Sequence, residues 1–384
     1  MILGTYYDGF TLHRKNKKVY ALFKTPHAVV STCRQNGGLR QDITVMLNHQ
    51  SCEPCNHNHS LAARAVREPA AYLETICRKE DLDHTTCAAL GTAANMNYAA
   101  VETLEFKDLT VVAVATGGVE TNAGRAGDPS HYYEKDGVFV HIDQSEKEPA
   151  SGTINIMVFI SQPLTPGALV RAVITATEAK TAALQELAVN SRYSPNLATG
   201  TGTDQMGIAC QMGEQPPMTS SGKHTKLGEL IGKTVKSAVK KTLKHQNQLT
   251  PEGQCSIKIH IERLGTDRER MILGICDFLN EDTAALFKDN FHSVNRDPLC
   301  VAAAAALIHL RDKWAWKILP DGCMKEISAS FGAQLSAAVS GKIHRIPDYY
   351  QRLCPVLTTV NDANLLLLIY WAIAMGFEEK WTNI

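Results

Sequence analysis

Two unbroken apolar runs, LTVVAVA at 109–115 and INIMVFI at 154–160, predict strands buried in the centre of a sheet. Shorter runs rich in Val, Ile and Thr predict N-terminal strands over 19–23, 27–33 and 43–48, with Asn36-Gly37-Gly38 as a turn between two of them. Apolar spacing turns helical from Ser60 to about Lys79, and a second helix is expected over 87–97. A long helix follows from Pro166 to Leu187, then a Gly/Thr segment, a strand near 206–212 and a Pro/Ser/Gly loop over 215–222.

The next segment is cleanly amphipathic. Leu227, Leu230, Ile231, Val235, Ala238 and Thr242 share one helix face, and Lys226, Lys233, Lys236, Lys240 and Lys244 form a solvated opposite face. QNQLTPEGQ at 246–254 reads as a linker. Beyond one expected strand over 257–261 the pattern is helical, at 269–279, 298–316, 324–339 and 361–377. The expected fold class is α/β or α+β: a mixed sheet packed with helices over 1–245, then a mostly helical C-terminal domain over 256–384.

Charge narrows the partners. Lys+Arg and Asp+Glu are both 39, which points to neither nucleic acid nor a membrane surface. The first twenty residues lack the apolar run of a signal peptide, and the longest apolar stretch, about 365–377, is shorter than the ~20 residues a membrane span needs. Eleven cysteines without a framework spacing suggest a reducing interior. A cytoplasmic chain is expected.

Candidate chemistry concentrates between 113 and 204. TNAGRAGDP at 121–129, TATEAK at 175–180 and ATGTGTD at 198–204 set small residues beside hydroxyls, carboxylates and cations. Small residues let backbone approach a ligand, so the three together read as an enzyme site. In an extended chain Thr199, Thr201 and Thr203 would share one face. Glu178 and Lys180 are about 200° apart on a helix. Lys180 falls in the stripe Leu169, Val173, Ala176, Ala183, Leu187, where an ammonium needs a carboxylate partner such as Asp128 or Asp204 or must snorkel out to water. Glu178 falls on the polar side. Either it lies at the surface, or the helix starts against the site and one of the two moves a proton. His224 precedes the Lys-rich helix, with Thr225 as its N-cap; the helix terminus would keep the imidazole neutral as a base or donor, or His224 is a surface residue in a turn. Cys52, Cys55, His57 and His59 have zinc-ligand chemistry, but the His-x-His spacing departs from a zinc finger. A polar turn with free thiols is the competing reading, with structural zinc the alternative.

With these segments in place the chain resembles the adenosylcobinamide amidohydrolases. NGG at 36–38 with Asn48-His49, TNAGRAGDP at 121–129, GTINI at 152–156, TATEAKTAAL at 175–184, ATGTGTD at 198–204 and GKHTKLGELI at 222–231 occur in order across roughly 20–245. The resemblance implies hydrolysis of the amide between a corrin propionyl arm and aminopropanol, with a corrinoid as substrate and no cofactor required. Amide hydrolysis needs an activated nucleophile, oxyanion donors and a proton for the amine. Glu178, Asp204 and His224 are the candidate proton carriers, and Thr201 or Thr203 the candidate nucleophiles. No base for threonine is placed by sequence, so activated water is preferred. Asn36, Asn122, Arg125, Asp128 and Lys180 form the expected substrate-binding set, with Asn122, Arg125 and Gly/Thr backbone N–H groups as oxyanion donors. No metal recurs in the matching motifs. The Cys52–His59 cluster and the helical C-terminal region, about 130 residues, lie outside the family pattern. They leave open a different amide substrate, a non-catalytic corrinoid-binding protein, and a homo-oligomer.

Overall fold

The computed structural model describes residues 1–51, 64–65, 67–142, 152–355, 357 and 359–381. These divide into two compact units, Met1–Leu249 and Thr250–Ile384.

The first unit opens with β1 (Ile2–Tyr6), β2 (Phe10–Lys15), β3 (Lys18–Phe23), β4 (His27–Ser31), β5 (Gly38–Arg40) and β6 (Val45–Gln50). Helix α1 (Pro69–Arg78) leads to β7 (Cys87–Thr92), β8 (Ala100–Phe106) and β9 (Leu109–Gly117). The two-residue β10 (Ala123–Gly124) and the hairpin β11 (Tyr132–Lys135) and β12 (Val138–His141) precede β13 (Ile154–Ile160). Helix α2 (Pro166–Glu186), β14 (Gly200–Thr201), β15 (Gln205–Gln211) and α3 (Lys226–Asn247) complete it.

Two large sheets result, one ordered β1-β2-β3-β6-β7 and the other β5-β4-β15-β13-β9-β8. Each is antiparallel except for one parallel pair, β6–β7 in the first and β13–β15 in the second. They pack face to face. Phe10, Leu12 and Ala21 meet Val112, Val114 and Phe159 between them, and the Phe10 and Phe159 rings stack at 4.3 Å. The other face of the second sheet (Val111, Ala113, Ile156, Val158) is covered by Leu169 and Ala172 of α2 and Leu227 and Ile231 of α3. Leu73 and Ile76 of α1 cover Val45 and Leu47 on the outside of the first. The layers run helix, sheet, sheet, helix pair. β9 and β13 read as unbroken apolar runs because both of their faces are buried.

The Lys-rich helix α3 is capped by Thr225, whose hydroxyl accepts from the Gly228 N–H at 3.1 Å. Five of its lysines are solvated and paired: Lys226 and Lys233 with Glu229, Lys236 and Lys240 with Glu186, and Lys241 with Glu102.

Several expectations change. Residues 87–92 form a strand rather than a helix, since pairing with β6 overrides an Ala-rich local preference. Two sheets stand where one was expected. Residues 257–261 are helical, not a strand; Ile257 and Ile261, one turn apart, are both fully buried. The presumed linker is shorter, because α3 runs to Asn247 and another helical turn begins at Pro251.

The second unit is helical among the described residues: α4 (Pro251–Gln254), α5 (Ile257–Ile261), α6 (Arg268–Cys276), α7 (Glu281–Asn295), α8 (Pro298–Ala315), α9 (Met324–Ser340), α10 (Ile346–Leu353) and α11 (Asp362–Lys380). α7 and α10 had escaped the sequence reading. Phe287, Leu307, Ala333, Leu368 and Phe377 centre its core, braced by the Arg263–Asp312 and Arg311–Asp362 ion pairs at 2.7 and 2.6 Å. No helix among the described residues is long and apolar enough to cross a membrane.

Two predictions follow from this arrangement of cores and buried groups. Limited proteolysis should cut first near Gln248–Thr250, and a fragment ending at Leu249 should melt cooperatively; an insoluble fragment would mean the two units share one core. The second concerns acid. Burial pushes the His49 imidazole down to about 3, helped by Lys18, Lys79 and Lys17, and burial pushes His27 to about 4 against a bond to the Thr25 carbonyl. Between these values and ~6.5 the unfolded chain binds protons that the native chain refuses, so stability falls as pH falls. Thermal melts should show His49→Gln flattening the fall from pH ~6.5 to ~4.5 relative to wild type.

Candidate active site

Residues 121–129, 175–180 and 198–204 meet around a cavity of about 1340 Å³. The first and third meet as a miniature sheet, β10 with β14, pairing Ala123 with Thr201 and Gly124 with Gly200. Helix α2 fixes the third from its side: Thr181 donates to the Thr199 carbonyl at 3.1 Å and Gln185 to the Ala198 carbonyl at 2.8 Å.

Lys180, Thr181 and Thr177 are the α2 residues that reach the cavity. The Lys180 ammonium, nearly buried, forms an ion pair with Asp204 Oδ2. Three further donors converge on that carboxylate: the Thr201 hydroxyl at 2.6 Å and Ile154 N–H at 2.9 Å on Oδ1, and Thr201 N–H at 3.1 Å on Oδ2. The threonines do not share one extended face, because the chain turns to wrap Asp204. Thr199 accepts from the Ala126 N–H and Thr203 donates to the Gly152 carbonyl. The Asp204 carboxylate therefore stands beside the Thr201 hydroxyl, a contact that sequence alone does not locate.

Asp128 accepts from the Arg125 N–H at 2.7 Å and the Ser191 hydroxyl at 2.6 Å. Burial works to raise its pKa, but the bonds from Ser191, Ser194 and Arg125 N–H, with the Arg125 charge, outweigh burial and hold it low. Arg125 donates to the Leu197 carbonyl at 3.1 Å. Asn122 donates to the Gly152 carbonyl at 2.9 Å and accepts from the Tyr193 hydroxyl at 2.5 Å. The Asn122 amide, proposed as an oxyanion donor, is thus occupied in binding backbone.

A buried amide chain runs beneath this region. Asn155 donates to Asn48 Oδ1 and to the Gly91 carbonyl, both at 2.9 Å, and Asn48 donates to Thr116 at 2.7 Å. Thr153 donates to the Thr203 carbonyl at 2.6 Å, and its hydroxyl oxygen lies 3.3 Å from Asn155 Oδ1. The second sheet is bonded to the Asp204 loop through Ile154 N–H, and the first sheet is linked to it through Asn155 and Thr153.

Four residues expected at the site do not line the cavity, and one of them, Asp204, meets it only through Thr201 and Lys180, which do. Glu178 is half exposed and pairs with Lys223 at 2.7 Å, lining a separate groove of about 640 Å³ between α2 and α3. It sits on the polar side of α2 while Lys180 points inward, as their ~200° separation requires. His224 is exposed in the turn before α3. Asn36 has a left-handed backbone (φ 56°) and spends its amide on the His84 and Cys87 carbonyls. Cys52, Cys55, His57 and His59 lie outside the described residues; among the described ones no group of three metal-ligating side chains occurs.

The sequence reading missed Tyr72, His131, Tyr132, Phe139 and Tyr193, all of which line the cavity. The only available signal was that Tyr132 and Phe139 occur in the long connection between β9 and β13. His49 holds the Tyr72 hydroxyl at 2.5 Å.

Gly200 is fixed by the ion pair. A Cβ there would run into Asp204 Oδ2 and lie 2.7 Å from the Lys180 ammonium. Gly200→Ala should therefore lower stability by about 1–3 kcal/mol. Gly213→Ala, with open space around it, should stay within about 0.5 kcal/mol in the same denaturant titration. Equal effects would refute the crowding at Gly200.

Comparison with known proteins identifies the lineage of this unit. An uncharacterised protein of Methanocaldococcus jannaschii is 43% identical over 176 residues, covering 45% of this chain and 66% of the relative. A crystal structure of a Pyrococcus horikoshii OT3 protein aligns with 61% of this chain and 83% of its own, at 14% identity and a TM-score of 0.29. The family model for adenosylcobinamide amidohydrolase matches residues 3–251. The chain belongs to the adenosylcobinamide amidohydrolase family.

Proposed function

We propose that the chain hydrolyses the amide joining the corrin propionyl arm to aminopropanol in adenosylcobinamide, giving adenosylcobyric acid and 1-amino-2-propanol. Family membership supports the reaction class. A cavity of about 1340 Å³ is larger than the ~300–1,000 Å³ of ordinary small-molecule sites, as a macrocycle requires. The observation that carries the reading is the Thr201–Asp204–Lys180 group, of which Thr201 and Lys180 line that cavity.

In this scheme Thr201 Oγ1 attacks the amide carbon and its proton passes to Asp204 Oδ1, 2.6 Å away. Lys180 holds Asp204 in place and supplies positive charge towards the developing oxyanion. Collapse breaks the C–N bond, and the amine leaves with the proton from Asp204. Water then adds to the Thr201 ester with Asp204 as base, releasing the carboxylic acid and restoring the hydroxyl. Glu178 and His224 have no part in it.

The test is aminopropanol release from adenosylcobinamide by purified protein, followed by mass spectrometry. Thr201→Ser should keep measurable turnover, whereas Thr201→Val and Asp204→Asn should lose roughly 100-fold or more. Full activity in Thr201→Val would make water the attacking group. Corrinoid binding without any aminopropanol would make the chain a corrinoid-binding protein instead.

A further inference from the structure

We propose that the hairpin β11–β12 is the ring-binding wall of the cavity, covering the apolar surface of a macrocycle and so favouring it over a small amide. This inference rests on the corrinoid amidohydrolase reading. Tyr132 and Phe139 line the cavity from opposite strands. The register pairs Tyr132 with His141 and Glu134 with Phe139, so both rings project from the same hairpin face.

These rings are not spent on a core. Phe139 is 54% exposed and Tyr132 37%, although each faces a concave site. Large aromatic surface held open inside a cavity marks a place where a ligand displaces water. The wall is also tied to the reaction centre. The His131 ring lies 5.3 Å from that of Tyr193, whose hydroxyl donates to Asn122 at 2.5 Å. The His141 ring meets Tyr132 edge-on at 4.9 Å. A bulky ring system on this wall leaves its amide arm to reach Thr201 and Asp204.

The experiment measures binding by equilibrium dialysis with two probes. One is adenosylcobyric acid, which carries the ring without the scissile amide; the other is a carboxylate-bearing porphyrin. Tyr132→Ala and Phe139→Ala should each weaken both by about 5- to 10-fold, with Phe139→Trp restoring affinity. In kinetics with adenosylcobinamide, KM should rise more than kcat falls. Tyr133→Ala, on the outward face and 63% exposed, should change neither constant and so controls for damage to the hairpin.

If wild type binds the corrinoid and the Tyr132→Ala/Phe139→Ala double variant binds it within about twofold, the ring-wall inference is wrong while the amidohydrolase reading stands. If the porphyrin binds through the two rings but the corrinoid is neither bound nor cleaved, the reading of function fails and the wall survives as a ring-binding surface. Binding of neither probe overturns both.

Discussion

The Asp204 carboxylate holds this site together. It collects the Lys180 ammonium, the Thr201 hydroxyl and the backbone N–H groups of Thr201 and Ile154. Those donors come from a helix, a turn and a central strand that are distant in sequence. An ionised carboxylate with little solvent contact tolerates such a position only when its lone pairs are satisfied, and removing one charge of a buried pair costs about 3–5 kcal/mol. Several neighbouring choices follow. Position 200 has no side chain because the pair packs against its Cα, and β10 runs beside β14 because the turn around Asp204 brings it there.

The layering explains where this knot could form. β13 and β15 are parallel, pairing Asn155 with Gln205, so the residues before both strands emerge at one edge. β9 is antiparallel to β13 and ends there at Gly117, opposite Ile154. Ligands in open parallel sheets gather at the carboxyl ends of strands; here the Asp204 turn lies at the amino ends of the parallel pair. The amide chain of Asn48 and Asn155 underlies the same edge. It fills a polar gap between sheets that are otherwise joined by Phe, Val and Met side chains.

Much of this was legible in the residues. The three dense segments stood out because small residues and hydroxyls replaced the Leu and Val of a core, and the stripe position of Lys180 called for either a carboxylate or a route to water, of which Asp204 supplies the first. Glu178 and His224 were misleading for a physical reason: a titratable side chain on the polar side of a helix has the same composition whether it meets substrate or water. The second sheet was hidden because an unbroken apolar run shows that both faces are covered, not what covers them. Tyr193 could not be read at all, and Phe139 offered only its place in a long connection, since an aromatic there acquires its meaning from the cavity that the fold builds around it.

The buried amides carry a consequence for how this protein can change. Asn155 is fully buried and Asn48 nearly so, and an apolar residue in place of Asn155 would leave Asn48 Oδ1 and the Gly91 carbonyl without their donor, at about 1–3 kcal/mol for a buried group left unsatisfied. The Thr153 hydroxyl would lose its neighbour on the core side at the same time, and the Asp204 turn would gain freedom. A change at either asparagine therefore loosens the joint between the sheets and the Asp204 turn together.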